Sequence, residues 1–440
     1  MAQIVLPADL SLLGPLVGIG LLAFVARIVG RSWLAPVAFL PLCWTAYLAV
    51  AVLLAGRFPL HAAGLWVIVS LVLAFVVGGL FATNPPAGEF TSASPPPERA
   101  TFSQLGSTRL SLTTAAFSVL ALLGVVGMFR TGLASFGLAL VPQTILRLGR
   151  EFSVARYGVG VDVPLVVNLL LYWTYPASVL GGMVFALARS RGARLLGLVP
   201  LVLAFASGLL TATRAGILLS GVMWASAVLA VTVCRERGTG HLFRARWVTT
   251  GGGAALFLLA IAAFLIWVRR GAGGSFNVLA LVFTAIESFF GAISVFTTWS
   301  AVAEPGHPTW GAFTFAGPFD LFQWAERRQG LYETSIYFAS GSESNIYTPF
   351  RGIIEDFGHT GAWLVCFALG AGSAVAYRRC GEGLITWVVP LSVFYSQSLF
   401  PLASMFVYNS VIVGWLIAFL VQLWPASREG QMAHLAAGSS

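Results

Sequence analysis

Long uninterrupted apolar runs dominate the pattern of hydrophobic and polar positions in this chain. Each run is about twenty residues long, the length of an α-helix that crosses the roughly 30 Å hydrocarbon core of a bilayer. The pattern therefore predicts an all-α polytopic membrane protein with about eleven transmembrane helices in a single integral-membrane domain, residues 1–440. The predicted spans lie near residues 9–27, 33–55, 60–82, 110–130, 163–188, 195–213, 215–234, 247–268, 358–376, 384–401 and 402–424.

An amphipathic stripe interrupts this pattern in the segment 131–162. After Pro142 the sequence predicts a helix whose polar and apolar side chains fall on opposite faces. Such a helix lies at a membrane interface, so we expect an amphipathic-helix loop on the outer face. The polar face holds Gln143, Arg147, Arg150 and Glu151, and the apolar face holds Ile145, Leu148 and Phe152.

The segment 276–302 carries a second stripe, within the largest stretch predicted not to span, residues 269–357. At 100° per residue, six of its polar side chains fall within about a third of the helix circumference. One interpretation is another amphipathic helix on the outer face. The other is a further span with a polar seam. An extra span would reverse the sides of all later loops, so a second additional crossing would be needed to restore the predicted topology. The six are Asn277, Thr284, Glu287, Ser288, Ser294 and Thr298.

The composition agrees with a membrane protein. Hydrophobic residues make up 58% of the 440 residues, charged residues only 9%, and the mean hydropathy is +0.86, whereas a soluble domain carries about 25% charged residues. The four cysteines show neither metal-ligand spacing nor a disulfide framework. The first residues lack a positively charged region and a convincing cleavage site, so we expect a retained first span.

The arginines set the predicted orientation. They supply all of the basic charge, because the chain has no lysine, and the net charge of +9 is spread over short loops, which disfavours a nucleic-acid partner. Arginines cluster in alternate loops, and the positive-inside rule places those loops in the cytoplasm. The N-terminus is then extracytoplasmic, the C-terminus is cytoplasmic, and both 131–162 and 269–357 lie outside.

Two polar features at this outer side are candidates for function. Residues 341–361, GSESNIYTPFRGIIEDFGHTG, form a dense polar cluster directly before a span, and charge at a membrane boundary is costly enough to indicate a functional site. Arg214 interrupts an otherwise uncharged run between two spans. An outward-facing arginine suits a lipid diphosphate, although an interfacial arginine that reaches lipid phosphate is the alternative. His307 and His359 have no close partner pair, so no metal site is predicted.

These features carry a resemblance to a known family. The sequence Asn345-Ile-Tyr-Thr, followed by Asp356-Phe-Gly and Gly361, resembles the late outer-loop motif of Wzy-type oligosaccharide repeat-unit polymerases. TATRAG around Arg214 resembles that family's arginine at a span hairpin, and RLGREFSVARYG resembles its earlier outer helix. The resemblance covers about residues 130–380.

The resemblance implies a GT-C-like integral-membrane glycosyltransferase that needs no cofactor. Such an enzyme transfers a growing glycan from undecaprenyl diphosphate to a lipid-linked repeat unit at the periplasmic face of the bacterial inner membrane. Its implied partners are undecaprenyl-diphosphate-linked glycans, membrane lipids and a chain-length regulator. This chain lacks the N-terminal acidic pair of metal-dependent GT-C enzymes, so we expect metal-independent chemistry.

The residue types in the outer segments suit that reaction. A leaving lipid diphosphate needs nearby cations, and the candidates are Arg147, Arg150, Arg214 and Arg351. The acceptor hydroxyl needs a general base, and the candidates are Asp356, His359, Glu355 and Glu343, with Asp356 favoured by the motif. Asn345 and Tyr347 would orient sugar hydroxyls. The alternatives are structural: Glu355 and Asp356 would stabilise a helix dipole, and Asn345 and Tyr347 would shape the turn before Pro349.

Two competing functions remain open from the sequence. An O-antigen ligase would share the lipid-linked donor and the outer-face site, and would differ in its acceptor. A lipid-linked-oligosaccharide flippase belongs to a different class. A transporter carries ionisable residues at mid-membrane depth, often in matching halves. Such acids are nearly absent from the predicted spans, which favours chemistry at the interface.

Overall fold

The fold of the chain is given by a computed structural model. It describes residues 10–83, 107–139, 141, 144–157, 162–236, 260–268, 277–303, 307–324, 332, 335–338 and 343–423. These residues are almost entirely helical, and nine of their helices are long and apolar enough to cross a membrane. The prediction of an all-α polytopic membrane protein is confirmed. Gln143 and the first part of the predicted span 247–268 lie outside the described residues.

The first half of the chain contains nine described α-helices, preceded by a 3-10 turn at Leu10–Leu12. They are α1 (Leu13–Gly30), α2 (Pro36–Leu53), α3 (Ala62–Thr83), α4 (Ser107–Phe136), α5 (Thr144–Tyr157), α6 (Leu165–Tyr172), α7 (Thr174–Leu187), α8 (Arg191–Leu210) and α9 (Ala215–Glu236).

The second half begins with the helical segment 260–268. It continues through α10 (Val278–Val302), α11 (Ala316–Leu321), the antiparallel strands β1 (Ile336–Tyr337) and β2 (Glu343–Ser344), α12 (Pro349–Gly381), α13 (Val388–Leu399) and α14 (Asn409–Leu423). Two further 3-10 turns lie at Ile385–Trp387 and Met405–Val407.

Glycines let α3 and α12 pack backbone to backbone. A Cβ atom added at Gly78 would overlap the Phe367 carbonyl oxygen, and one added at Gly370 would overlap the Phe75 carbonyl oxygen. Small residues permit this close approach between membrane helices. The contact holds the second part of α12 firmly against α3.

A break divides α12 in two. Gly358 has φ 66° and ψ 177°, a conformation that is strained for residues with a Cβ. Residues 349–357 therefore form a separate helical segment ahead of the longer part that packs on α3. We use the name outer end for the side of the bundle where this first segment and the loop 54–61 lie.

The prediction of two full spans at 384–401 and 402–424 is wrong. Helix α13 has 12 residues and α14 has 15, so they are about 18 and 22 Å long and shorter than the roughly 30 Å hydrocarbon core. At the base of this hairpin the Gln422 side chain donates to the Ile385 carbonyl. Its tip, residues 400–408, is irregular chain. Such backbone is tolerated at membrane depth where protein surrounds it or where it lines a cavity.

Helix α10 follows the outer end of the bundle. The Glu287 carboxylate lies 3.6 Å from the Arg57 guanidinium, and the Ser294 and Thr298 hydroxyls donate to the Pro59 carbonyl. Glu287 and Thr298 are about 16 Å apart along the helix axis, yet both contact the short loop 54–61. The length and composition of α10 would allow it to cross a membrane, whereas these contacts favour the interpretation of an outer-face helix.

Helix α5 lies within the segment 131–162, for which the sequence predicts an amphipathic helix. Leu148 and Phe152 are buried, while Arg147 and Arg150 are exposed. Ile145 was expected on the buried face and is exposed. Thr144 and Ser153 are buried as well, so the face that packs inward includes polar side chains that the sequence pattern did not place there.

Candidate functional site

Arg351 is the centre of the polar cluster at the start of α12. Pro349 is at the first turn, where its missing N–H costs nothing. One turn further, Arg351 and Glu355 face each other at i,i+4 spacing, and Arg351 Nε donates to Glu355 Oε1 at 2.9 Å. Arg351 is only 8% exposed, whereas the Glu355 side chain keeps 21% of its surface accessible. Glu355 Oε2 is nevertheless buried, so the accessible part of this side chain does not include that oxygen.

Three aromatic rings surround the Arg351 guanidinium. Its central carbon lies 3.7 Å from the ring centroid of Tyr332, 3.9 Å from that of Tyr347 and 5.0 Å from that of Trp299. An arginine this close to aromatic faces is stabilised by cation–π attraction. Because the rings come from three separate segments, Arg351 holds together the end of α10, the chain around residue 332 and the approach to α12.

The Asn345 side chain supports the chain on this side of the site. Its Nδ2 donates to the Tyr332 carbonyl at 2.9 Å, and the Tyr332 N–H donates to the Asn345 carbonyl at 3.4 Å. These bonds extend the β1–β2 pairing toward Arg351. The geometry favours the structural alternative for Asn345, because its amide already positions Tyr332. Glu343 is exposed on β2, opposite Tyr337.

The Asp356 carboxylate binds the loop that precedes α11. Asp356 is fully buried, and its Oδ1 accepts from the Thr309 hydroxyl at 2.6 Å and from the Phe313 N–H at 3.0 Å. Its Oδ2 accepts from the Thr314 N–H at 2.6 Å, and its backbone carbonyl accepts from the Trp310 N–H. This geometry favours a positioning role. The catalytic role assigned to Asp356 from the motif stays a prediction.

A narrow cleft lies beside this loop. Its volume is about 20 Å³, enough for one water-sized group. The Thr314 and Thr348 side chains line it, are almost completely buried, and have hydroxyls without a hydrogen-bond partner among the described residues. The other lining residues are Phe313, Ala316, Tyr332, Tyr347, Pro349, Gly352, Ala403, Ser404 and Val407.

Sequence reasoning identified Tyr347 in this cleft and missed most of the rest. Most of the missed residues come from the chain 313–316 and from the tip of the α13–α14 hairpin, far apart in the sequence. Aromatic residues recur throughout 269–357 and were the available signal, but their pattern does not indicate which rings converge.

The remaining predicted arginines form a second group. Arg147 and Arg150 are exposed on α5, and Gly149 between them packs tightly against the Leu209 carbonyl at the end of α8. Arg214 is half-buried a few residues later, just before α9. The structure therefore brings α5 to the end of α8, a few residues before Arg214, and the shared cationic surface stays a prediction.

Tyr175 lies between this second group and the cleft. A Cβ atom at Gly216, two residues after Arg214, would be 3.9 Å from the Tyr175 hydroxyl. The same hydroxyl lies close to the Ser410 side chain at the start of α14. The neighbouring Asn409 donates to Asp320 of α11 at 2.7 Å. A chain of contacts thus links the Arg214 turn to the loop over the cleft.

His359 follows the Gly358 break directly and is exposed. Among the base candidates, Glu355, His359 and Glu343 therefore retain accessible side chains, and Glu355 alone lies against Arg351. The described part of the chain contains no group of three or more His, Cys, Asp or Glu side chains that could hold a metal ion.

Comparisons of this chain with family models, with curated proteins and with solved structures give no match. The resemblance to Wzy-type polymerases therefore rests on the motifs quoted above.

Proposed function

We propose that this protein is a glycosyltransferase that polymerises undecaprenyl-diphosphate-linked oligosaccharide repeat units at the outer face of the bacterial inner membrane. One observation carries the proposal. The residues of the quoted motif, from Asn345 to Asp356, assemble with Trp299 and Tyr332 into a single charged, aromatic-walled site beside a cleft. Aromatic faces with polar tips suit sugar rings.

The proposed reaction needs a base and a cationic surface on opposite sides of the scissile bond. The acceptor hydroxyl of a lipid-linked repeat unit attacks the anomeric carbon of the growing chain. The new glycosidic C–O bond forms while the bond from that carbon to the diphosphate oxygen breaks, and lipid diphosphate leaves. The hydroxyl proton passes to a base on the protein. The negative charge that develops on the diphosphate is stabilised by arginine side chains.

The geometry supports Glu355 as that base. Its side chain keeps 21% of its surface accessible and its Oε1 is oriented by Arg351 through the 2.9 Å bond, whereas the Asp356 side chain is fully buried and both of its oxygens are already occupied. His359 is the second candidate, because it is exposed directly after the Gly358 break, four residues along the chain from Glu355. Arg147, Arg150 and Arg214 supply the diphosphate-binding surface.

The test is polymerisation of a purified undecaprenyl-diphosphate repeat unit by the purified protein, with and without chelator. We expect a glycan ladder that chelator does not remove. Glu355→Gln keeps an oxygen acceptor for Arg351 but lacks a usable basic site, so we expect loss of the ladder with a smaller loss of thermal stability than Asp356→Asn, because only one charged bond becomes neutral. Glu382→Gln is the matched control, because Glu382 pairs with Arg379 at 3.1 Å at the far end of α12.

Three outcomes would change the conclusion. A full ladder from Glu355→Gln would remove Glu355 as the base. Transfer only to a lipid A core would make the protein a ligase. A wild-type protein that forms no ladder, yet carries fluorescent lipid-linked glycan across a bilayer, would be a flippase.

A further inference from the structure

Two threonine side chains that line the cleft beside α12 are buried with incomplete hydrogen bonding. Thr314 is 4% exposed and Thr348 is 2% exposed, and both hydroxyls lack a hydrogen-bond partner among the described residues. Buried polar groups are normally hydrogen-bonded. Two such groups at the same cleft indicate that a small polar group from outside the chain completes their bonding.

The size of the cleft limits that group. A volume of about 20 Å³ admits one water-sized group, which fits a hydroxyl but not an acetamido or carboxylate substituent. The residues that line the cleft carry no charge. The cleft therefore suits a neutral hydroxyl and offers no counter-ion to an acidic sugar substituent.

The walls of the cleft are aromatic. The rings of Phe313 and Tyr332 are stacked with an interplanar angle of 11° and a centroid separation of 5.7 Å, and Tyr347 meets Tyr332 edge-on. Aromatic rings beside hydrogen-bonding groups are the combination that orients a sugar, with the ring surfaces that line the cleft contacting C–H groups and the hydroxyls fixing the register.

We propose that this cleft is a specificity subsite that accepts a single free hydroxyl of the saccharide substrate through Thr314 and Thr348. The inference rests on the proposed function, because it assumes a saccharide substrate. The substrate hydroxyl there makes hydrogen bonds equivalent to those that a water molecule would make. A sugar that carries a bulky or charged substituent at this position is rejected.

The test uses Thr314→Val and Thr348→Val, which remove each hydroxyl and keep the side-chain shape. The binding of a purified undecaprenyl-diphosphate repeat unit is measured by tryptophan fluorescence, and KM and kcat are measured from ladder formation. We expect each variant to raise Kd and KM about threefold to tenfold with little change in kcat, because the lost bonds act in binding. Thermal stability is expected to be unchanged or higher.

The matched control is Thr232→Val on α9, where the hydroxyl donates to the Val228 carbonyl of its own helix. This variant should leave Kd and KM unchanged. If both cleft variants keep the wild-type Kd and KM, the proposed subsite is refuted, even if the ladder forms. Weakened binding in the cleft variants of a protein that makes no ladder would retain the subsite and reject the polymerase proposal.

Discussion

The substitution Asp356→Asn separates a positioning role from a catalytic one. In the structure, Oδ1 accepts bonds from Thr309 and Phe313, and Oδ2 accepts a bond from Thr314. Asparagine retains one oxygen and replaces the other with an NH2 group. If that group takes the Oδ2 position, it faces the Thr314 N–H, and two donors then oppose each other.

The cost follows from this geometry. A hydrogen bond to a charged group contributes about 1.5–3 kcal/mol, and a neutral one contributes less. Asp356→Asn loses at least one bond outright and converts the others to neutral bonds, partly offset by the easier burial of an uncharged side chain. We expect the free energy of unfolding to fall by about 2–4 kcal/mol. The loop 309–316 should loosen first, since its N–H groups lose their acceptor.

Thermal unfolding and limited proteolysis at this loop measure the effect. Asp356→Asn should unfold several degrees below the wild type and should be cut faster near residues 309–316. Glu382→Gln, the same chemical change at an exposed pair, should behave as the wild type in both assays. If Asp356→Asn keeps wild-type stability and protease resistance but forms no ladder, the positioning role is refuted and Asp356 is the base.

Two further pairs of variants test the packing around the site. Gly370→Ala should lower the free energy of unfolding by about 1–3 kcal/mol, because its methyl group overlaps the Phe75 carbonyl and forces α3 and α12 apart. Gly221→Ala, with nothing within 4 Å, should be neutral in the same thermal assay; equal effects would contradict the close approach. Leu148→Ala should cost about 2–4 kcal/mol because Leu148 is fully buried, whereas Ile145→Ala at an exposed position should have little effect. The opposite order would show that α5 packs on its other face.

Local information was sufficient for much of the chain. Whether a segment forms a long apolar helix depends on the summed hydropathy of its own residues. For this reason the apolar runs that begin near residues 9, 33 and 60 are found in the structure as α1, α2 and α3. The same hydropathy sum predicted helices that are too long at 384–424. Hydropathy measures how well a segment partitions into lipid, and it does not reveal that the chain turns at the tip 400–408 after only 12 helical residues.

The candidate site shows the same division. Arg351 and Glu355 pair because one helical turn separates them, and Tyr347 is close because it precedes the same helix. The partners of Asp356 lie more than forty positions earlier in the chain. No local pattern identifies them, since a carboxylate can bind any N–H group that the fold places beside it.

The sequence by itself determined that this is a helical multi-pass membrane protein and that a dense polar cluster lies at residues 341–361, because both depend on the composition of continuous segments. Only the tertiary structure decided that Arg351 is enclosed by three rings, that Asp356 holds a distant loop, and that Thr314 and Thr348 meet in one cleft. These contacts are set by how helices approach one another, as at Gly78 and Gly370. Helix packing brings into contact residues that are too far apart in the chain for any local sequence pattern to relate them.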